Sequence, residues 1–248
     1  MKRLDPAKRL RRMHDRLVQA YGPQFWWPAR TALEVILGAY LTQNTSWKAV
    51  ERSLANLRDA GALSLDGLRA IRLDKLRQLI RPSGFFTRKA PALKAFVAML
   101  DAEFAGSLDV LAAAPTDTLR KRLLALPGVG PETADAILLY ALGHPVPVAD
   151  EYLRRIAERH ALFAPEKGRR QYDALADLTR RAFAADPAAA HAELFNEFHA
   201  LTVAVGKAHC SRAPRCEGCP LAFDLRSAES TNAHTRQSQP RGRKLESS

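Results

Sequence analysis

The sequence predicts an all-α protein. Along most of the chain apolar residues recur at spacings of three and four, while the strict alternation of a half-buried strand is almost absent. The breaks between these stretches carry helix-start and turn residues: Ser46 before Trp47, Thr116-Asp117, Arg81-Pro82-Ser83-Gly84 and Pro131. With 248 residues, 47% hydrophobic and 26% charged, the chain has a soluble globular composition and suffices for one large or two small domains.

In order, residues 6–20 read as a basic amphipathic helix with Leu10, Met13, Leu17 and Val18 on one face. A loop with Phe25-Trp26-Trp27-Pro28 leads to an apolar helix over 30–41, striped by Leu33, Ile36, Leu37 and Tyr40. Thr42-Gln43-Asn44-Thr45-Ser46 interrupts the pattern, and the next helix carries Trp47, Val50, Leu54 and Leu57. Short helical patterns fill 64–80, and a helix from Phe85-Phe86 runs through Leu93, Phe96 and Leu100. Two more short helices fit 107–114 and 116–125, then one from Pro131 to Leu142. Helices near 150–162, 170–185 and 187–207 complete the pattern, and residues 226–248 have the composition of a disordered basic tail.

A net charge of +12 calls for a polyanionic partner. No apolar run approaches the length of a spanning helix, and the basic N-terminus lacks the apolar core of a secretory signal, so a cytoplasmic, nucleoid-associated protein is expected. Three cysteines confined to 210–219 make no disulfide framework and suit a metal or cluster site.

The chemistry concentrates between Leu123 and Ile156. Leu126-Pro127-Gly128-Val129-Gly130 is a tight turn before a helix, where backbone N–H groups can approach an anion unobstructed. The carboxylate of Asp150 follows the stiff run His144-Pro145-Val146-Pro147. Together with Thr133 and Ala134, this pattern resembles the helix-hairpin-helix (HhH-GPD), Gly/Pro-rich loop and aspartate of the endonuclease III superfamily of DNA glycosylases. The resemblance spans roughly Phe25 to Leu225. It implies a six-helix domain over 29–142, with the hairpin at about 116–142, facing a second domain built from 1–28 and 143–225 across a DNA-binding cleft.

The resemblance assigns DNA phosphate contacts to Leu126, Gly128, Val129, Gly130 and Thr133, with a candidate monovalent cation on the hairpin carbonyls. Gln43 and Asn44 fall where relatives fill the gap left by a flipped base, although a turn or cap role fits them equally. Lys89 is a candidate phosphate contact. Glu132 occupies the position of the lysine that forms a Schiff base in bifunctional relatives. Glutamate cannot do that chemistry, so Glu132 reads as a solvated helix-start acid, and catalysis rests on Asp150. Asp150 is also a good N-cap, and the two roles are compatible.

Within the superfamily the chain is most similar to the 3-methyladenine DNA glycosylase branch. The shared residues are Trp26-Trp27-Pro28, Leu41-Thr42-Gln43-Asn44-Thr45 and Arg81-Pro82-Ser83-Gly84-Phe85. The resemblance implies a base pocket of Trp26, Trp27, Pro28 and Trp47. An N-alkylated purine is cationic, leaves without protonation, and is attracted to aromatic faces by about 1–2 kcal/mol. The branch places a pocket lysine shortly after a Phe-His pair. Here Phe198-His199 is followed by Ala200-Leu201, and Lys207 has no assigned role.

Cys210, Cys216 and Cys219 resemble the family's four-cysteine [4Fe-4S] loop, with the first spacing one residue short and no fourth cysteine. His209 and Asp224 are candidate fourth ligands; zinc, or a metal-free loop, are the alternatives. Arg212 and Arg215 would suit a DNA backbone. The leading expectation is a monofunctional base excision repair enzyme, acting as a monomer on double-stranded DNA to remove alkylated purines. Alternatives are an endonuclease III-like glycosylase for damaged or mismatched pyrimidines, with or without AP lyase activity, and a non-catalytic DNA-binding protein.

Overall fold

The structure, a computed structural model, describes residues 4–24, 26, 31–163 and 169–225. Within them the chain forms twelve α-helices, two 3-10 turns and one π-helical turn, with no strand. Trp27, Pro28 and the tail 226–248 lie outside the described residues.

Helix α1 (Pro6–Tyr21) starts with proline in its first turn behind the N-cap Asp5, and buries Leu10, Met13 and Leu17. Thr31 caps α2 (Ala32–Leu41) by accepting the Glu34 N–H at 3.2 Å. This helix is buried almost all round, as its sequence, apolar apart from Glu34, requires. Next come α3 (Trp47–Asp59), α4 (Leu65–Ala70), α5 (Leu73–Leu79), α6 (Phe86–Glu103), α7 (Leu108–Ala113) and α8 (Thr116–Leu124). Ser64 and Ser107 cap α4 and α7. The predicted cap at Thr116 is instead the first residue of α8, after Pro115. Its hydroxyl meets His144 Nδ1 at 2.8 Å and ties the Pro-rich run back to the hairpin.

The second hairpin helix departs from expectation. Helix α9 (Pro131–Ala136) passes into a π turn over Ile137–Ala141, closed by Leu142 N–H donating to the Ile137 carbonyl at 3.2 Å. That turn inserts one residue and re-aims Tyr140. Val146, Val148 and Ala149 are buried in the segment leading to α10 (Glu151–Arg159), which is followed by α11 (Arg169–Ala182) and α12 (His191–Ala208).

Helices α1 and α10 pack on α11 and α12, while α2, α3, α5 and α6 pack among themselves. The π turn touches α2, α8 and α12, and the buried apolar side chains form one continuous cluster from Ala7 to Leu221.

Candidate active site

The hairpin turn follows from its glycines. Gly128 sits at φ 76°, a left-handed conformation that favours glycine, and Gly130 is extended as N-cap of α9. Leu126 is partly buried and Val129 buried, the latter's N–H spent on the Leu126 carbonyl at 3.3 Å. The N–H groups of Gly128 and Gly130 have no acceptor among the described residues. These two donors are left available at the turn, whereas the Val129 N–H is used within it. Gln43 Nε2 donates to the Gly128 carbonyl and to Thr133 Oγ1, both at 2.9 Å. Thr133 is thereby buried and engaged, and a cation on the hairpin carbonyls would have to share Gly128 with Gln43. Asn44 stands exposed beside it at φ 53°.

Behind the hairpin lies a cavity of about 610 Å³ whose lining includes Trp26, Trp47, Glu132, Asp150, Tyr152 and His199. Asp150 caps α10, its Oδ1 accepting the Leu153 N–H at 2.8 Å, and is only 7% exposed. Its Oδ2 lies 3.4 Å from His199 Nε2. His199 Nδ1 meets the Tyr140 hydroxyl at 2.5 Å. The Trp26 ring packs on both, with centroids 5.2 Å from His199 and 6.2 Å from Tyr140. Lys207 lines the same cavity from α12.

Glu132 is exposed in the first turn of α9, as a solvated helix-start acid would be, but its acidity is not ordinary. It lines the cavity, where desolvation by the surrounding protein and then the Asp150 carboxylate push its carboxyl up to about 7.

Sequence reasoning passed over Tyr140 and Tyr152, and left His199 without a role. No periodicity announces a π turn, so Tyr140 gave no signal. Tyr152 had one: Gly206 in α12 is where its ring lies, and a Cβ there would come within 2.8 Å of Tyr152 Cγ. Phe85, a helix start and the last residue of the Arg81–Phe85 segment, carries no role of its own in the sequence. It is 57% exposed at φ 47° and borders a smaller depression together with Gln43, Asn44, Arg88 and Gly128.

Lys89 is not a phosphate contact. Its ammonium is buried and donates to the carbonyls of Leu41, Gln43 and Ser83 at 2.8, 3.0 and 2.8 Å. Desolvation lowers its pKa. It closes the C-terminal end of α2 from inside the fold.

The cysteine loop does not gather a metal-holding donor set among the described residues. Cys210 is buried, its sulfur accepting from Arg159 Nη1 at 3.0 Å, whereas Cys216 is exposed. Asp224 is withdrawn from any ligand role: Arg9 Nε and Nη2 donate to its two oxygens at 2.9 and 2.5 Å, and His160 Nδ1 lies 2.9 Å away. His209 Nδ1 is paired with the Arg215 carbonyl at 3.1 Å. Asp224 is thus committed elsewhere, and the three thiols with His209 form no group placed to hold a metal ion among the described residues. Arg212 and Arg215 are exposed on the same loop.

The model of the HhH-GPD superfamily base excision DNA repair protein matches residues 37–181. A Methanocaldococcus jannaschii protein provisionally named a DNA repair glycosylase is 40% identical over 207 residues, covering 83% of this chain and 90% of its own. The crystal structure of H. pylori 3-methyladenine DNA glycosylase bound to 1,N6-ethenoadenine is similar at 30% identity and TM-score 0.68, covering 83% of this chain and 98% of that one. A non-covalent endonuclease III–DNA complex shares the fold at TM-score 0.70 and 20% identity, over 92% and 98% of the two chains. By family match, by relatives and by architecture, the chain belongs to the HhH-GPD superfamily of base excision DNA repair proteins, as an all-α DNA glycosylase of the endonuclease III type.

Proposed function

We propose that the chain is a monofunctional glycosylase that flips an N-alkylated purine such as 3-methyladenine out of duplex DNA and hydrolyses its N-glycosidic bond. One observation carries the reading: a single cavity joins the carboxyls of Asp150 and Glu132 to Trp26, Trp47 and Tyr152. Two carboxyls and three aromatic rings suit a cationic base, which electron-rich rings and negative charge both attract. The similarity to a 3-methyladenine glycosylase holding an ethenoadenine supports the same class.

Asp150 is the catalytic carboxylate in this reading. As the C1′–N bond breaks, its pair of electrons leaves with the base and cancels the base's positive charge. Asp150 stabilises the oxocarbenium character at C1′ and takes a proton from the water whose oxygen bonds to C1′. The Gly128 and Gly130 N–H groups hold a phosphate, and Asn44 and Phe85 face the stack from which the base leaves. Residues 29–142 and the pairing of 1–28 with 143–225 serve as the two walls of the DNA cleft.

The test uses duplexes each containing one defined lesion. Release of 3-methyladenine with strand breaks only after alkali is expected, and borohydride should trap no covalent complex. Asp150→Asn should lose release by about 100-fold or more while still binding DNA. Activity confined to thymine glycol, with breaks before alkali, overturns the reading. Efficient borohydride trapping overturns its monofunctional part and points to Lys207, the lysine in the cavity lining.

A further inference from the structure

Tyr140 and His199 stand against Asp150 from elements other than its own helix. A carboxylate that faces a developing cation must keep its oxygen at a fixed distance, and misplacement by about 1 Å can cost on the order of 100-fold in rate. The N-cap bond at Oδ1 fixes one oxygen of Asp150, on the backbone of α10. Oδ2 lies 3.4 Å from His199 Nε2. His199 is in turn held by the Tyr140 hydroxyl at 2.5 Å, and the Trp26 ring packs over both.

We propose that Tyr140 and His199 form a hydrogen-bonded chain that orients the Asp150 carboxylate: the Tyr140 hydroxyl donates to His199 Nδ1, leaving the proton on Nε2 to face Asp150 Oδ2. The direction of donation follows from the carboxylate: Asp150 Oδ2 can only accept, so the Nε2 that faces it carries the ring proton and Nδ1 is left to accept from the Tyr140 hydroxyl. Burial, then the negative charges of Asp150 and Glu197, push Tyr140 well above its ordinary value, so it remains an O–H donor. A neutral imidazole that accepts at Nδ1 must carry its proton at Nε2. The π turn over Ile137–Ala141 holds Tyr140 at this position. Tyr140 and His199 are positioning residues, and Asp150 remains the group that meets the sugar. The inference rests on Asp150 being the catalytic carboxylate. The charged groups around the chain are Asp150 and Glu151 at the start of α10, Glu132 on α9, and Glu197 and Lys207 on α12.

Two readouts on the full-length protein test it. Nitrogen-15 histidine NMR should show the His199 ring protonated at Nε2 and unprotonated at Nδ1, and Tyr140→Phe should perturb the Nδ1 resonance. In single-turnover excision, Tyr140→Phe should be slower by about 10- to 100-fold with DNA affinity unchanged and a displaced pH–rate profile. His199→Gln, which keeps an N–H donor, should retain more activity than His199→Ala. An Nδ1-protonated ring in the unaltered protein, or a Tyr140→Phe variant with unchanged rate and pH profile, overturns the proposal. The NMR readout needs no activity: a protein that excises none of the lesions refutes the functional reading, and the ring tautomer then decides the chain by itself.

Discussion

Glu132 shows what a cavity does to a carboxyl at the first turn of a helix. The sequence identifies what it is not, since glutamate cannot replace a Schiff-base lysine, but its side chain has no environment until α10 and α12 close around it. Enclosure and the neighbouring Asp150 then raise it to about 7. A raised carboxyl is neutral below that value and anionic above it, so attraction for a cationic base should strengthen as pH rises from 6 to 8. The preference for a duplex containing a 3-methyladenine over an undamaged one, measured by competition, should increase across that range. Glu132→Gln should flatten the increase; an unchanged pH dependence in the variant would remove Glu132 from base binding. At this scale the placement of Asp150 as N-cap of α10 was legible, because an aspartate after a Pro-rich run and before an amphipathic helix is a sequence pattern. Tyr140 and His199 were not, because their pairing spans 59 positions and a π turn.

Among elements, the helices were legible wherever the apolar stripe was regular, and the errors fall where a tertiary contact outweighs it. The helix expected from Pro131 to Leu142 slips into a π turn at Ile137, against α2, α8 and α12. Lys89 is the sharper case, since a lysine early in a helix is ordinarily solvated. Here α2 ends inside the protein, and the ammonium supplies three donors to carbonyls that no water reaches easily. Lys89→Met keeps the stem and strands those carbonyls, each of which costs about 1–3 kcal/mol when left unpaired. Thermal unfolding should therefore drop markedly. The slope of DNA affinity against salt should stay unchanged, because Lys89 releases no counterion from DNA. A slope shallower by about one unit with undiminished stability would restore Lys89 as a phosphate contact.

At the scale of the whole molecule, α1, α10 and the segment after the cysteine loop are joined by a buried cluster that no local pattern could disclose. Arg9 in α1 meets Asp224, 215 positions away, while His160 at the end of α10 completes the group and Arg9 Nη2 also donates to the His160 carbonyl at 2.7 Å. Seen in sequence, Asp224 beside three cysteines suggested a ligand; in the fold it locks the segment after the cysteine loop onto α1 and α10. Burial pushes Asp224 up, but the hydrogen bonds from His160 and Arg9 outweigh it and hold the carboxyl at about 2, against 3.8 in water. A depressed carboxyl stabilises the native state in full above its unfolded value and loses that contribution as pH falls from 3.8 through 2. The difference corresponds to about 2 kcal/mol. Asp224→Asn leaves the Arg9 guanidinium buried without its counter-charge, a change that costs about 3–5 kcal/mol near neutral pH. Because the variant has no carboxyl to protonate at that position, the gap between the two proteins should narrow as acid is added. Urea unfolding from pH 6 to pH 2 measures that gap; a gap that is constant across the range would mean that the Arg9–Asp224 ion pair does not hold α1 to the segment after the cysteine loop.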